Sequence, residues 1–277
     1  MIRQDSFSLA GSNDKIIFGD VTYDDKNTIG PLVIFIHGFK GFKDWGAHNL
    51  VARHFAINGF RYLKFNLSHS GVTENNPTDV SDFETFASNT VSKEMVDVDL
   101  VISYALKNLN VSEVFLIGHS RGGGLGILQA AANPRVQALV TWSAIAAFDS
   151  LWKKDQENDW RKNGKIYVEN TRTKEKMPLN IELLTDFESN KAKLNIIESA
   201  KQINIPWLIV QGDDDVNVPF STAQQLADAN LNAKLFKVEG ANHVYGVSHP
   251  YQQESLPAQL FKVCEKSIAF FKEALLR

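Results

Sequence analysis

The chain has one cysteine, Cys264, in 277 residues. That excludes an internal disulfide and any metal site built from clustered cysteines. It has no surplus of positive charge either: 29 Lys and Arg face 32 Asp and Glu, a formal net charge of −3. This balance argues against a basic nucleic-acid footprint. No run reaches the ~18 apolar residues that a spanning helix needs. Met1 to Gly19 holds no continuous apolar stretch of signal-peptide length, so a cytoplasmic protein is expected. Internal repeats and low-complexity segments are missing too. What remains is a globular composition with 44 % hydrophobic residues. At this length roughly 75 % of the unfolded surface can be buried, so the core needs no staples.

Strand-like and helix-like patterns alternate along the chain. Ser6–Leu9 and Lys15–Tyr23 read as an opening antiparallel hairpin. The apolar run Leu32–Ile36 has the signature of a strand buried on both faces. Trp45–Asn58 has helical spacing and stops at Gly59, a C′-type glycine. Phe60–Phe65, Val114–Ile117, Ala138–Trp142, Trp207–Gln211 and Lys234–Val238 read as further strands. Val91–Leu109, Leu125–Ala132, Thr222–Ala229 (with Ser221 as N-cap) and Leu256–Leu276 read as helices. Strands separated by helices imply βαβ units, hence a mostly parallel sheet with helices on both faces.

One stretch breaks this rhythm. Residues 149–202 hold 21 charged residues in 54, against 22 % for the chain, yet also Trp152, Trp160, Tyr167 and Phe187. Lys165–Glu169 and Lys174–Met177 look like a small hairpin around Asn170–Thr173. A loop this long inside a compact domain is usually functional. The expected organisation is therefore a core of residues 1–148 and 203–277 with a cap at 149–202. A surface ornament is the alternative.

The chemistry gathers at Gly118-His119-Ser120-Arg121-Gly122, a G-x-S-x-G pattern. It follows the strand Val114–Ile117 directly and leads into the helix Leu125–Ala132. A serine on so sharp a strand-to-helix turn needs small neighbours, because its backbone is strained and strand and helix cross closely. Such a turn lifts the Ser120 hydroxyl above the carboxyl edge of the sheet, where open α/β folds bind ligands. A phosphate-binding glycine loop does not fit, since no P-loop lysine and no G-x-G-x-x-G occur.

A serine hydroxyl needs a base, and the base needs an orienting carboxylate. Of the seven histidines, His243 lies just after the last strand on a loop at the same sheet edge, which makes it the expected base. His249 is its one rival. His119 is expected to point away from the substrate, and His48 and His54 to be surface or packing residues. The acidic run Asp213-Asp214-Asp215 follows the strand Trp207–Gln211 and supplies the carboxylate. Its calcium-loop reading fails, because Val218 stands where glycine is needed and Gln224 where glutamate is needed. An oxyanion hole needs two aimed backbone N–H groups. Arg121, at a helix start, supplies one, and Phe39, in His37-Gly38-Phe39-Lys40-Gly41, the other.

With these residues in view, the chain resembles the α/β-hydrolase superfamily. Within it, the chain is similar to bacterial carboxylesterases of the cinnamoyl- and feruloyl-esterase type, with dienelactone-hydrolase-like proteins as near neighbours. The resemblance runs from about Asp14 to the C-terminus. It implies a mostly parallel sheet of about eight strands with helices on both faces. In the superfamily pattern Gly-x-x-Asp-x-x-Val-Pro the catalytic acid falls on Asp215. The esterase group carries its cap where 149–202 sits, with a hairpin overhanging the acyl pocket. Strict dienelactone hydrolases use cysteine where this chain has Ser120.

The expected function is serine hydrolysis of a carboxylic ester through an acyl-enzyme, with the triad Ser120, Asp215 and His243. Peptidase or amidase action with the same triad and a non-catalytic binding role are the alternatives. Trp152, Trp160 and Tyr167 are the candidate substrate-pocket residues. Arg121 invites two readings, a site for an acidic substrate or a solvated helix-start side chain. No metal or cofactor is called for. The expected partner is a small-molecule ester, without nucleic acid or membrane, and a homodimer is left open.

Overall fold

The computed structural model describes residues 1–276. The chain opens with β1 (Ile2–Ala10), β2 (Ile16–Asp24) and β3 (Leu32–Ile36), followed by α1 (His48–Ile57) and β4 (Arg61–Phe65). A short pair, β5 (Val72–Thr73) and β6 (Asn76–Val80), precedes α2 (Phe83–Ala87) and α3 (Val91–Asn108). Next come β7 (Val114–His119), α4 (Arg121–Ala132) and β8 (Val136–Trp142). The segment before the next core strand holds α5 (Glu157–Asn163), β9 (Lys165–Glu169), β10 (Lys176–Asn180), α6 (Ile181–Ser189) and α7 (Ile196–Ala200). The chain closes with β11 (Trp207–Gly212), α8 (Phe220–Ala229), β12 (Lys234–Val238) and α9 (Ala258–Ala274).

Eight strands form one sheet in the order β1-β2-β4-β3-β7-β8-β11-β12. The pairs β1–β2 and β2–β4 are antiparallel, and every later pair is parallel. The period-two alternation of side chains divides each central strand between two cores. Leu32, Ile34 and Ile36 pack with α3 and α4, whereas Val33 and Phe35 pack with α1 and α9. Both faces of β3 are therefore covered, which is why it carries no polar residue.

Among the described residues, three helix starts carry side-chain caps, that of α7 being Asn195, whose Oδ1 accepts the Glu198 N–H at 3.1 Å. Thr90 Oγ1 accepts the Lys93 N–H at 3.3 Å, and Asp82 Oδ1 accepts the Thr85 N–H at 2.9 Å. The cap assigned to Ser221 is corrected: α8 begins at Phe220 with Pro219 in the cap position, so Ser221 lies inside the first turn. The proline fixes the entry angle instead of a hydroxyl.

The segment between β8 and β11 does not stand apart. Trp160, Met177, Leu183 and Phe187 are buried in the same apolar cluster as α3 and α4. Trp152 meets Trp160 and Phe187 edge to face, each at 5.6 Å between ring centres. Its hairpin pairs β9 with β10 antiparallel, Glu169 opposite Lys176.

Candidate active site

Ser120 lies between β7 and α4 with φ 56° and ψ −119°. That left-handed turn survives only because the chain passes itself without side chains. A Cβ on Gly118 would meet the Gly122 carbonyl oxygen at 2.3 Å. A Cβ on Gly122 would meet the Ile36 carbonyl oxygen at 2.2 Å. The Ser120 N–H donates to Trp142 O at 2.9 Å, tying the turn to β8.

Ser120 and His243 line one cavity of about 390 Å³ at the carboxyl edge of the sheet. His243 Nδ1 meets Asp215 Oδ2 at 2.8 Å. Asp215 is buried, and it also accepts the N–H groups of Asn217 and Val218 and the Gln211 side-chain amide, each at 2.9 Å. Burial pushes the Asp215 carboxyl up, but the bond and charge of His243 and the Val218 N–H outweigh it. The group is thus held below its ordinary value and remains a carboxylate. The two preceding aspartates stand elsewhere. Asp213 accepts the Gly240 N–H at 2.6 Å and pairs with Lys237 at 3.3 Å, and Asp214 is exposed.

Phe39 lines the same cavity, and Arg121 opens α4. The Arg121 N–H belongs to the first helical turn, which has no intrahelical acceptor. Neither reading of the Arg121 side chain survives. It is buried, its Nε donates to Glu94 Oε2 at 2.7 Å, and its guanidinium lies 5.5 Å from the centre of the Phe39 ring. It is neither solvated nor turned to the cavity. Instead it braces the Phe39 loop against α3. A second brace holds the other side of that loop: Lys64, fully buried, pairs with Asp20 and Asp44, and Lys43 pairs with the same two.

His119 is corrected as well. It faces the cavity, and its Nε2–H donates to the His243 carbonyl at 2.9 Å. Burial, and then the neighbouring His243, push its pKa down to about 3. His48 takes the packing alternative, edge to face against Phe35 at 4.4 Å between ring centres, and it also lines the cavity. His249 is the rival that fails: Nδ1 accepts the Gly46 N–H at 2.9 Å and Nε2 donates to Thr78 O at 3.1 Å, so both nitrogens are engaged away from Ser120.

Trp152, Trp160 and Tyr167 do not line this cavity, and that expectation is corrected. The two tryptophans fill the core beneath the 149–202 segment, and Tyr167 is 53 % exposed on the outer hairpin face. Residues contributed by chain-distant loops, strand β8 and helix α9 take their place. Trp45, Trp142, Leu151, Val247 and Leu260 form apolar wall, and Asn170, Thr171 and Arg172 reach in from the hairpin tip. Nothing local in the sequence marks them, since only tertiary contact brings them together. A smaller cavity of about 220 Å³ lies among β1, β2, β4 and α3, and no histidine lines it among the described residues. The described residues hold no cluster of three metal-ligating side chains and no helix long and apolar enough to cross a membrane.

Residues 31–173 match the family described as alpha/beta hydrolase fold. The chain belongs to that family. It is 23 % identical over 248 residues to a Haemophilus influenzae protein provisionally named an esterase/lipase, covering 79 % of each chain. It is 24 % identical over 237 residues to an Escherichia coli protein provisionally named a carboxymethylenebutenolidase, covering 81 % of this chain and 71 % of that one. Among solved structures, Est1E from Butyrivibrio proteoclasticus with bound ferulic acid superposes with a TM-score of 0.77 at 20 % identity, over 98 % of this chain and all of that one.

Proposed function

We propose that this protein is a serine esterase that cleaves a carboxylic ester through an acyl-enzyme. The observation that carries the proposal is the shared cavity of Ser120 and His243, with His243 Nδ1 held by the buried Asp215 carboxylate. The esterase names of the relatives support the reaction class. His243 takes the Ser120 proton as the hydroxyl oxygen attacks the ester carbonyl. The N–H groups of Phe39 and Arg121 receive the developing oxyanion. His243 then returns the proton to the leaving alcohol. Water, deprotonated by His243 in turn, attacks the acyl carbon; the bond to Ser120 breaks, His243 returns the proton to the Ser120 oxygen, and the carboxylic acid leaves. Asp215 keeps the imidazole in the tautomer whose Nε2 can accept. These steps use no cofactor.

In this reading residues 149–202 act as a cap over the core formed by 1–148 and 203–277. The support is the hairpin tip, whose Asn170–Arg172 contribute to the cavity wall, and the bond from Lys40 Nζ to Glu169 O at 3.1 Å. The test is labelling by a fluorophosphonate together with turnover of 4-nitrophenyl esters. Wild-type protein is expected to do both. Ser120→Ala is expected to lose the label and on the order of 10⁴-fold in kcat/KM. Turnover by Ser120→Ala within tenfold of wild type would overturn the proposal.

A further inference from the structure

We infer that the Ser120 cavity takes esters bearing a second, negatively charged group, which Lys40 and Arg172 hold beneath the hairpin tip. The inference rests on the hydrolase reading and names its substrate class. Among the described residues that line the cavity there is no Asp or Glu, whereas Lys40 and Arg172 both face it. The chain as a whole is acidic, with a net charge of −3, so the positive cavity runs against the background. A cavity lined by one sign of charge concentrates ligands of the other.

Lys40 carries the argument furthest. Among the described residues its ammonium has no carboxylate partner within ion-pair distance. The hydrogen bond it makes is to a neutral acceptor, the Glu169 carbonyl. The Glu169 carboxylate is turned to Lys174 at 3.5 Å. Burial pushes the Lys40 pKa down, the Glu169 charge opposing. The Lys40 side chain is half-buried, so its ammonium lacks part of its water shell, and a bound anion would supply the counter-ion it lacks. The backbone adds a second sign. Lys40 sits at φ 60°, a conformation that favours glycine, yet a long cationic side chain occupies it. Strain kept at a ligand site is a mark of use.

Arg172 is held by one corner. Its Nη2 donates to Asp79 Oδ1 at 2.6 Å, and the side chain is 33 % exposed. Asp79 cancels part of its charge, but the guanidinium keeps further N–H groups for a ligand. The apolar wall of Trp45, Trp142 and Leu151 suits a hydrocarbon spacer. A dicarboxylic acid esterified at one end has this chemistry: a scissile carbonyl for Ser120, a short chain, and a free carboxylate for Lys40 and Arg172.

The experiment compares 4-nitrophenyl hydrogen adipate with 4-nitrophenyl hexanoate, which have equal chains and differ in terminal charge. Binding to Ser120→Ala is measured by calorimetry, and kcat/KM is measured on wild type, Lys40→Met and Arg172→Met. Circular dichroism confirms that each variant folds, and Arg172→Met changes only a hairpin tip should Lys40→Met fail. The charged ester is expected to bind and turn over at least about tenfold better at low salt, an advantage that 0.5 M salt reduces. Either methionine variant is expected to cut that ratio to below about threefold. Ser120-dependent turnover with no preference for the charged ester would overturn this inference and leave the esterase reading intact. Tighter binding of the charged ester without turnover of either would overturn the esterase reading and leave the charge preference standing.

Discussion

At the scale of single residues, the acidic run 213–215 offers three carboxylates, and only one has the geometry to orient a base. Asp215 is buried and bonded to His243, whereas Asp213 clasps Gly240 and Asp214 is exposed. Asp215→Asn exchanges a charged acceptor for an amide that favours the wrong imidazole tautomer. A loss of about 10⁴-fold in kcat is expected, while Asp213→Asn and Asp214→Asn stay within about tenfold. Steady-state kinetics on one aryl ester settles the comparison, and a more damaging Asp214→Asn would displace Asp215 from its role. Motif and loop position point to Ser120 and His243, because their chemistry depends on loops at fixed places along the sheet edge, whereas the choice of Asp215 within the acidic run comes from the resemblance to the superfamily pattern. The same reasoning misread Arg121, His119, Trp152 and Trp160. A side chain's direction depends on neighbours far along the chain: Arg121 turns to Glu94 on α3, and Trp152 stacks edge to face on Phe187.

Among the elements, the β7–α4 turn and the β9–β10 hairpin make opposite demands. The turn tolerates no change. Gly122→Ala would push a methyl into the Ile36 carbonyl, a contact no rotamer can relieve, since the backbone fixes where the Cβ lies and the oxygen belongs to backbone. It is expected to lower stability by roughly 2–4 kcal/mol, read as a shift of the urea midpoint. The hairpin tolerates change at its tip alone, because Ile166 and Met177 are buried in the core. Replacing residues 170–174 by Gly-Gly should therefore leave the fold intact and remove the side chains that reach the cavity. The expected result is a change of at least about fivefold in the kcat/KM ratio of a bulky aromatic ester to an acetyl ester, the acetyl ester still being cleaved. An unchanged ratio would reduce the segment to ornament. The long strands and helices were legible because burial on both faces or on one stripe writes a period into the sequence. α2 and α7 were not, since five residues are too few to display one. The cavity wall was not legible either, since Trp45, Leu151, Arg172 and Leu260 share no local pattern.

Over the whole molecule, the buried histidines set a shared response to acid. Burial pushes the pKa of His37 down to about 4, that of His69 to about 4 and that of His119 to about 3. The bonding of His37 requires the neutral ring: Nδ1–H donates to Gly38 O at 2.9 Å, so Nε2 is left to accept the Leu67 N–H at 3.2 Å. A protonated ring could not accept that bond. The sign follows from proton counting. Above about pH 6.5 these rings are neutral in both the folded and unfolded chain, and they do not make stability depend on pH. Between about 6.5 and 4 the unfolded chain binds protons that the folded one refuses, so stability falls with pH. His37 alone contributes on the order of 2 kcal/mol to that fall. Glu94 works the other way, since burial holds its carboxyl up against the pull of Arg121. Asp20 and Asp215, both held below their ordinary value, withdraw their contributions only at still lower pH. The melting temperature should therefore decline between pH 6.5 and 4.5, well before the carboxylates are protonated. The His37→Gln variant should melt lower at pH 7.5 but decline less steeply across that window. A wild-type melting temperature flat from pH 7.5 to 4.5 would contradict the burial of neutral histidines around the β3 and β7 loops.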